Sequence, residues 1–226
     1  KHSTDTTRVR NKLTFDYAAL IPNLTSLRTQ FVRLYIKDYT SGSDQPEFLD
    51  YGMFTHVEQP DKTFLRSRGL DPYGQLYKAE QFGFYLYPEI RSVTDPGYSK
   101  EAFESYLDIR GSQDHRKLIR MLRDIEDPDI PFVDSFHKYF DRDNYMTWMA
   151  FNILTGNYDT VYFNFLLYSP SYSTKFTFIP WDLDRTWGNF ETFAGREQNL
   201  TPWQYGIANW WSSGLHNKVF KEPELV

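Results

Sequence analysis

Four polar side chains crowd one stretch of the chain: Asp159, Asn164, and the pair Asp182 and Asp184. Between them the sequence reads as strand, turn and strand. Phe163 to Tyr168 is an apolar run bounded by Ser-Pro, and Lys175 to Pro180 is short, β-branched and aromatic, closed by Pro180. Paired as an antiparallel hairpin, these runs bring Asn164 and Asp182 to the same end. Phosphoryl transfer needs that layout: one carboxylate orients a hydroxyl, while an amide oxygen and a second carboxylate hold Mg²⁺ against nucleotide phosphates. Asp159 is therefore the candidate catalytic carboxylate. Asn164 and Asp182 are candidate metal ligands, and Asp184 is a candidate for a second ion. Each has a plainer reading. Asp159 can be a turn residue bonding nearby backbone N–H groups, Asn164 a strand-start Asn, and Asp184 a cap through Arg185 or Thr186. Jointly, four acceptors bracketing one hairpin beside Trp, Phe and Ile are hard to explain without a cation.

A carboxylate placed this exactly needs a rigid support. Asp141 to Leu154 is the strongest helical pattern, with Asp141 or Asp143 as cap, Tyr145, Met146, Trp148, Met149, Phe151, Asn152 and Leu154 on its buried sides, and Thr155-Gly156 ending it. It delivers the chain straight into Asn157-Tyr158-Asp159. Upstream, helices are expected at Arg10–Ile21, about 61–68, Ser99–Ile109, Gln113–Ile125 and Pro131–Tyr139. Gln30–Lys37 and Tyr51–Gln59 read as strands around a polar loop at 38–50, and Pro60 ends the second. Residues 1–8 are polar, and 80–98 are aromatic with Pro and Gly breakers and no assignable role. Residues 189–201 read as loop. Trp203 to Trp211 reads as a helix covering the site or an acceptor surface, and the pattern from Phe220 onwards stops inside the start of a helix.

Asp159-x-x-x-x-Asn164 repeats the D-x-x-x-x-N of the protein-kinase catalytic loop, and Asp182 falls where the metal-binding Asp of D-F-G would fall. The ordered set Gly156-Asn157-Tyr158-Asp159, Asn164-Phe165-Leu166-Leu167-Tyr168 and Pro180-Trp181-Asp182-Leu183-Asp184, followed by Gly188, is more specific. With Arg10-Asn11-Lys12-Leu13, Phe31-Val32-Arg33-Leu34-Tyr35, Val57-Glu58-Gln59 and Leu76-Tyr77-Lys78, it resembles the spore-coat protein H (CotH) family of atypical kinases over most of the chain. The resemblance implies an α+β, divergent protein-kinase-like two-lobed fold. Residues 1–59 would form a partial small lobe ending in a hinge, and 60–226 a mainly helical large lobe with a catalytic β-hairpin. It implies transfer of the ATP γ-phosphate to protein Ser or Thr with Mg²⁺ or Mn²⁺. His56, Val57 and Glu58 become hinge candidates for the adenine edge, and Arg10 and Lys78 candidates for nucleotide phosphates. Surface cations (Lys12 among them) and a Glu58–Lys62 pair at helical spacing are the plain alternatives. The 38–50 loop looks like an insertion. The family's phosphate-gripping lysine strand would lie before the Arg10 helix, so the chain is expected to be the interior of a longer protein.

Composition narrows the partners. The net charge of -5 gives no reason to expect nucleic acid or an anionic membrane, and with no cysteines there are no disulfides or thiolate metal sites. No apolar run approaches the roughly 20 residues of a membrane span. An aromatic content of 19% fits a core, a polysaccharide-binding face, or both. Two other function classes therefore stand beside the kinase. One is a metal-dependent glycosyltransferase or phosphohydrolase using Asp182-x-Asp184. The other is a non-catalytic adhesin, coat or carbohydrate-binding protein with a host-surface or polysaccharide partner. The family resemblance implies a spore coat or cell-surface location, and the chain itself carries no address.

Overall fold

The computed structural model describes residues 5–42, 44–157, 159–187, 210 and 212–226. Among these, the chain forms seven α-helices and six strands in two antiparallel sheets, an α+β arrangement. The first sheet is a hairpin of β1 (Thr29–Ile36) and β2 (Leu49–Val57), joined through a single 3-10 turn at Tyr39–Ser41. It packs against α1 (Arg10–Ala18), which ends one turn earlier than its apolar pattern suggests. The second sheet has the order β4-β3-β5-β6, with β3 at Gln75–Ala79, β4 at Leu107–Ile109, β5 at Phe165–Ser169 and β6 at Thr177–Pro180.

The junction after β2 is held by charge. Asp61 caps α2 (Lys62–Ser67) through the Thr63 and Phe64 N–H groups. Glu58 accepts from the Arg28 guanidinium and backbone on one side and from Arg68 on the other, at 2.7 Å for Arg68. Burial alone would raise the Glu58 carboxyl, but the Arg28 and Arg68 bonds outweigh it and hold the pKa at about 2. Because this folded value lies below the ordinary one, the stabilisation is complete above pH 4.5 and is lost as pH falls towards 2. Glu58→Gln is expected to cost about 2 kcal/mol at pH 7, a figure discounted for the exposed Arg28, and to lower Tm by about 4–8 °C in calorimetry. An unchanged Tm would mean that the cage is solvated.

The large core lies between the second sheet and the remaining helices: α3 (Lys100–Glu104), α4 (Arg116–Glu126), α5 (Phe132–Tyr139), α6 (Arg142–Leu154) and α7 (Gly214–Lys221). The stretch expected as one helix from Ser99 to Ile109 divides. Ser99 caps α3, the helix stops at Glu104, and Leu107–Ile109 pairs with β3. Sheet pairing outside the window wins over a helical pattern that both structures satisfy. Residues 223–225 form a turn where the sequence suggests a helix start, with Leu225 buried. Phe84, in the segment with no assignable role, is fully buried among Phe82, Phe140, Phe165 and Phe178.

Two devices fix the hairpin that carries the candidate site. Every residue of β5 is buried, so the strand is a central one whose register cannot slip without exposing apolar side chains. Asn144 of α6, buried itself, donates to Phe178 O at 3.1 Å and accepts from Phe178 N at 2.6 Å. That staple ties α6 to β6 on the side of the sheet where Trp148 meets the Phe178 ring at 4.5 Å.

Candidate functional site

Asp141 caps α6 by accepting from Asn144 N, and the helix ends at Leu154 with Gly156 at φ +66°. A left-handed residue there suits glycine and turns the chain sharply. Asn157 then folds back on the helix, its N–H on Asn152 O and its side-chain amide on Asn152 Oδ1, both at 2.8 Å. Asn152 in turn donates to Trp148 O. This amide ladder anchors the loop to α6 just before Asp159.

The hairpin supplies the rest. β5 and β6 pair with Phe165 opposite Pro180, so Asn164 immediately precedes one strand and Trp181-Asp182 follow the other. Trp181 N donates to Asn164 O at 3.3 Å and closes that end. Asn164 and Asp182 both have left-handed backbones, φ +61° and +50°. Asn and Asp tolerate that region better than other side chains, and such residues cluster where a site over-determines the backbone. The next residues are fastened to α1 and to the end of α6. Leu183 N donates to Asn11 Oδ1 at 3.1 Å, the Thr14 and Thr186 hydroxyls lie 2.8 Å apart, and Trp187 donates from its ring to Thr14 and from its backbone to Thr155 O.

Asp159, Asn164 and Asp182 thus lie together, as the spacing implies. Asn164 Nδ2 donates to Asp159 Oδ2 at 3.1 Å, and Arg185 Nη1 is 3.2 Å from Asp159 Oδ1. Burial pushes the Asp159 carboxyl up to about 6; Arg185 opposes this, and Asp182 and Asp184 add to it. Asp182 is raised as well, chiefly by burial and then by Asp184, against the pull of Lys78 and Arg185. Lys78 sits on β3 opposite Leu166 with its ammonium 2.5 Å from Glu80, close enough for its charge to be felt at Asp182. The other nucleotide candidates have partners of their own. Arg10 meets the buried Asp5 at 3.2 Å, His56 is exposed beside Gln30, Val57 pairs with Thr29 at the end of β2, and Glu58 is caged by Arg28 and Arg68. Gly188, Tyr158 and the candidate helix at 203–211, apart from Trp210, lie outside the described residues.

Sequence reasoning missed Arg185 as a partner of Asp159, and Asn11 as the amide that orients Leu183. Arg185 follows directly on Asp182-Leu183-Asp184, and that adjacency was the available signal. Asn11 bonds across 172 residues, which no local pattern reveals.

Among the described residues no three His, Asp or Glu side chains form a ready-made metal cage. Mg²⁺ does not require one, since it is commonly held by one or two carboxylates together with substrate phosphates and water. The residues present fit that role: the donors are hard oxygens, and Asp182 is a half-buried carboxylate whose pKa is raised by burial and by Asp184 despite Lys78 and Arg185.

The family described as CotH kinase protein matches residues 1–226. The inner spore coat protein H of Bacillus subtilis (strain 168) is 27% identical over 193 residues, which is 81% of this chain and 48% of that protein. The chain therefore spans about half the length of the curated relative it matches. A match along the whole length, over a site built on the residues that carry the likeness, places the chain in the CotH kinase family.

Proposed function

We propose that the chain is the phosphoryl-transferring part of an atypical protein kinase, moving the ATP γ-phosphate to a Ser or Thr hydroxyl of a coat or surface protein. The observation that carries this reading is the convergence of Asp159, Asn164 and Asp182 at one end of the β5–β6 hairpin. The same reading makes residues 1–59 a partial small lobe and 60–226 the large lobe, with the β1–β2 hairpin and the four-stranded sheet as separate layers of the two.

Asp159 orients the acceptor hydroxyl. As the oxygen–phosphorus bond forms and the bridging bond to the β-phosphate breaks, ADP leaves and the hydroxyl proton passes to Asp159 and then to solvent. Asn164 and Asp182 would hold Mg²⁺ or Mn²⁺, with Asp184 beside a second ion, and a metal bound there neutralises charge on the phosphates. Lys78 and Arg10 are the cations proposed to meet the phosphates. Arg185, which pairs with Asp159 at 3.2 Å, is proposed to turn from it towards the transferred group. His56, Val57 and Glu58 lie at the proposed hinge. The Glu58 N–H already donates to Arg28 O at 2.9 Å and Pro60 has none, so the adenine donor falls to Gln59. A coat location follows the relative's name. Among the described residues no helix is long and apolar enough to cross a membrane.

Incubation with γ-labelled ATP, Mg²⁺ and Ser/Thr-containing proteins is expected to give labelled product. Asp159→Asn is expected to reduce it by about a hundredfold or more, the usual weight of a positioned acid–base group. If label transfers equally with the variant, Asp159 is a turn residue. A protein whose Tm rises with a nucleotide sugar but not with ATP would move the reading to glycosyl transfer.

A further inference from the structure

At the opposite end of the catalytic hairpin from Asn164 and Asp182, a cleft of about 230 Å³ opens between α4, α5 and the β5–β6 turn. It is lined by Arg116, Lys117, Arg120 and Lys138, with Asp114, Tyr139 and Thr174 completing the wall. Two of these cations are already matched. Arg116 makes a two-pronged contact with Asp114 at 2.8 and 2.6 Å, and Lys138 meets Asp124 at 2.7 Å, where the Tyr139 hydroxyl also donates.

The other two are not. Lys117 is half-buried, and its ammonium donates only to neutral oxygens, Ser169 Oγ and Pro170 O, both at 2.7 Å. Arg120, three residues along the same helix, makes no hydrogen bond or ion pair among the described residues and feels Asp124 only at a distance. A chain with a net charge of -5 therefore keeps two cations without an ion-pair partner side by side, one of them partly removed from water and reached by Asp114 and Asp71 only at a distance. Partial burial of a cation with no acid in contact costs desolvation that an anion bound in the cleft would offset. Burial indeed lowers the Lys117 ammonium from its ordinary value.

We propose that this cleft is a phosphoryl-anion site, taking the phosphate of a phosphorylated Ser or Thr carried on a protein segment. Two unmatched charges suit a phosphate dianion better than a single carboxylate. Arg side chains suit its oxygens geometrically, and clusters of Arg are the usual readers of phosphorylated segments. The cleft exceeds what a bare phosphate fills, and the exposed Arg116, Arg120 and Lys138 leave its rim open for the segment to run along the surface. The site stands apart from the proposed nucleotide site and does not depend on the kinase reading.

The test is titration of the full chain with a phosphothreonine peptide flanked by Gly and Ala, its unphosphorylated twin, its Glu-substituted twin, and inorganic phosphate, followed by calorimetry. The phosphopeptide is expected to bind with strong salt dependence and the two twins at least about tenfold more weakly. Arg120→Gln, an exposed change that leaves folding intact, and Lys117→Met are each expected to weaken the phosphopeptide about tenfold, while Asp182→Asn leaves it unchanged. Equal binding of either twin, or an unaltered affinity in Arg120→Gln, would overturn the proposal. Inorganic phosphate binding as tightly as the phosphopeptide would overturn the protein segment as its source. Competition by MgATP would place the peptide in the nucleotide site and overturn it as well.

Discussion

Asp182→Asn is expected to do two opposite things: to lower phosphoryl transfer by about a thousandfold or more, and to raise the Tm of the nucleotide-free protein. The first follows from its proposed place as principal metal ligand, since charge stabilisation by a bound metal supplies several kcal/mol. The second follows from the charge on the carboxylate itself. The Asp182 carboxyl is raised by burial and by Asp184, and Lys78 and Arg185 do not fully offset this, so its negative charge opposes folding. Asn is isosteric and tolerates the left-handed backbone at φ +50°, so the hairpin end should keep its shape. Removing one net-repelled charge is worth about 1 kcal/mol, or about 2–4 °C in a chain of this size. Calorimetry with and without MgATP separates the two effects. The variant should melt higher alone and lose the nucleotide-dependent rise of the parent. A variant that melts lower and still transfers phosphate would show Asp182 to be a structural residue.

Function and stability pull apart here for a reason visible in the local backbone. Asn164 and Asp182 occupy left-handed conformations on either side of a strand pair whose five buried β5 residues leave no freedom of register. The strain and the clustered carboxylates are held in place by bonds made elsewhere: Asn144 on Phe178, Asn11 on Leu183, Thr14 near Thr186, and Trp187 on Thr155. Such a site is rigid before any ligand arrives, which is the condition for positioning to contribute to rate.

What could be read from the sequence was what short-range patterns determine. The capped helix ending at Gly156, the two strands of the hairpin and the meeting of Asn164 and Asp182 at one end of it each depend on short-range patterns. What could not be read depends on distant pairing. The Glu58 cage joins residues 30 and 10 positions away, so Lys62, at helical spacing, looked the natural partner while Arg28 and Arg68 took the carboxylate. Leu107–Ile109 became a strand because β3 offered it an edge, which no window around Phe103 contains. The aromatic run around Phe84 gave no periodicity, because its rings fill gaps between elements instead of covering one face.

Acid should unfold this protein through two imidazoles that the site does not use. His216 is fully buried with Nδ1 2.7 Å from the Tyr145 hydroxyl, and His115 with Nδ1 2.9 Å from that of Tyr77. In each ring Nε2 is buried without a partner among the described residues, so the charged form has nothing to receive it. Burial lowers His216 to about 3 and His115 to about 4, although Asp114 pulls the latter upwards. Both folded values lie below the unfolded 6.5, so the unfolded chain binds more protons. The stabilisation is complete above pH 6.5 and is lost as pH falls through the window down to about 4 and 3. At 1.36 kcal/mol per unit these amount to about 5 and 3 kcal/mol, together comparable with the whole stability of an ordinary domain. Asp159 acts in the opposite sense: with its carboxyl raised to about 6, protonation relieves the folded state as pH drops, which offsets part of the loss. Urea unfolding at pH 7.5, 6 and 5 reads the slope of stability against pH. His216→Leu should be less stable at pH 7.5, with Tyr145 deprived of its partner, yet its slope near pH 5 should be shallower by about 1.4 kcal/mol per pH unit, one proton fewer taken up on unfolding. His115→Gln should remove a second proton from the same slope. A parent and variants with identical slopes would mean that both rings reach water, and the aromatic core would have to be looser around Tyr145 and Tyr77 than its ring contacts indicate.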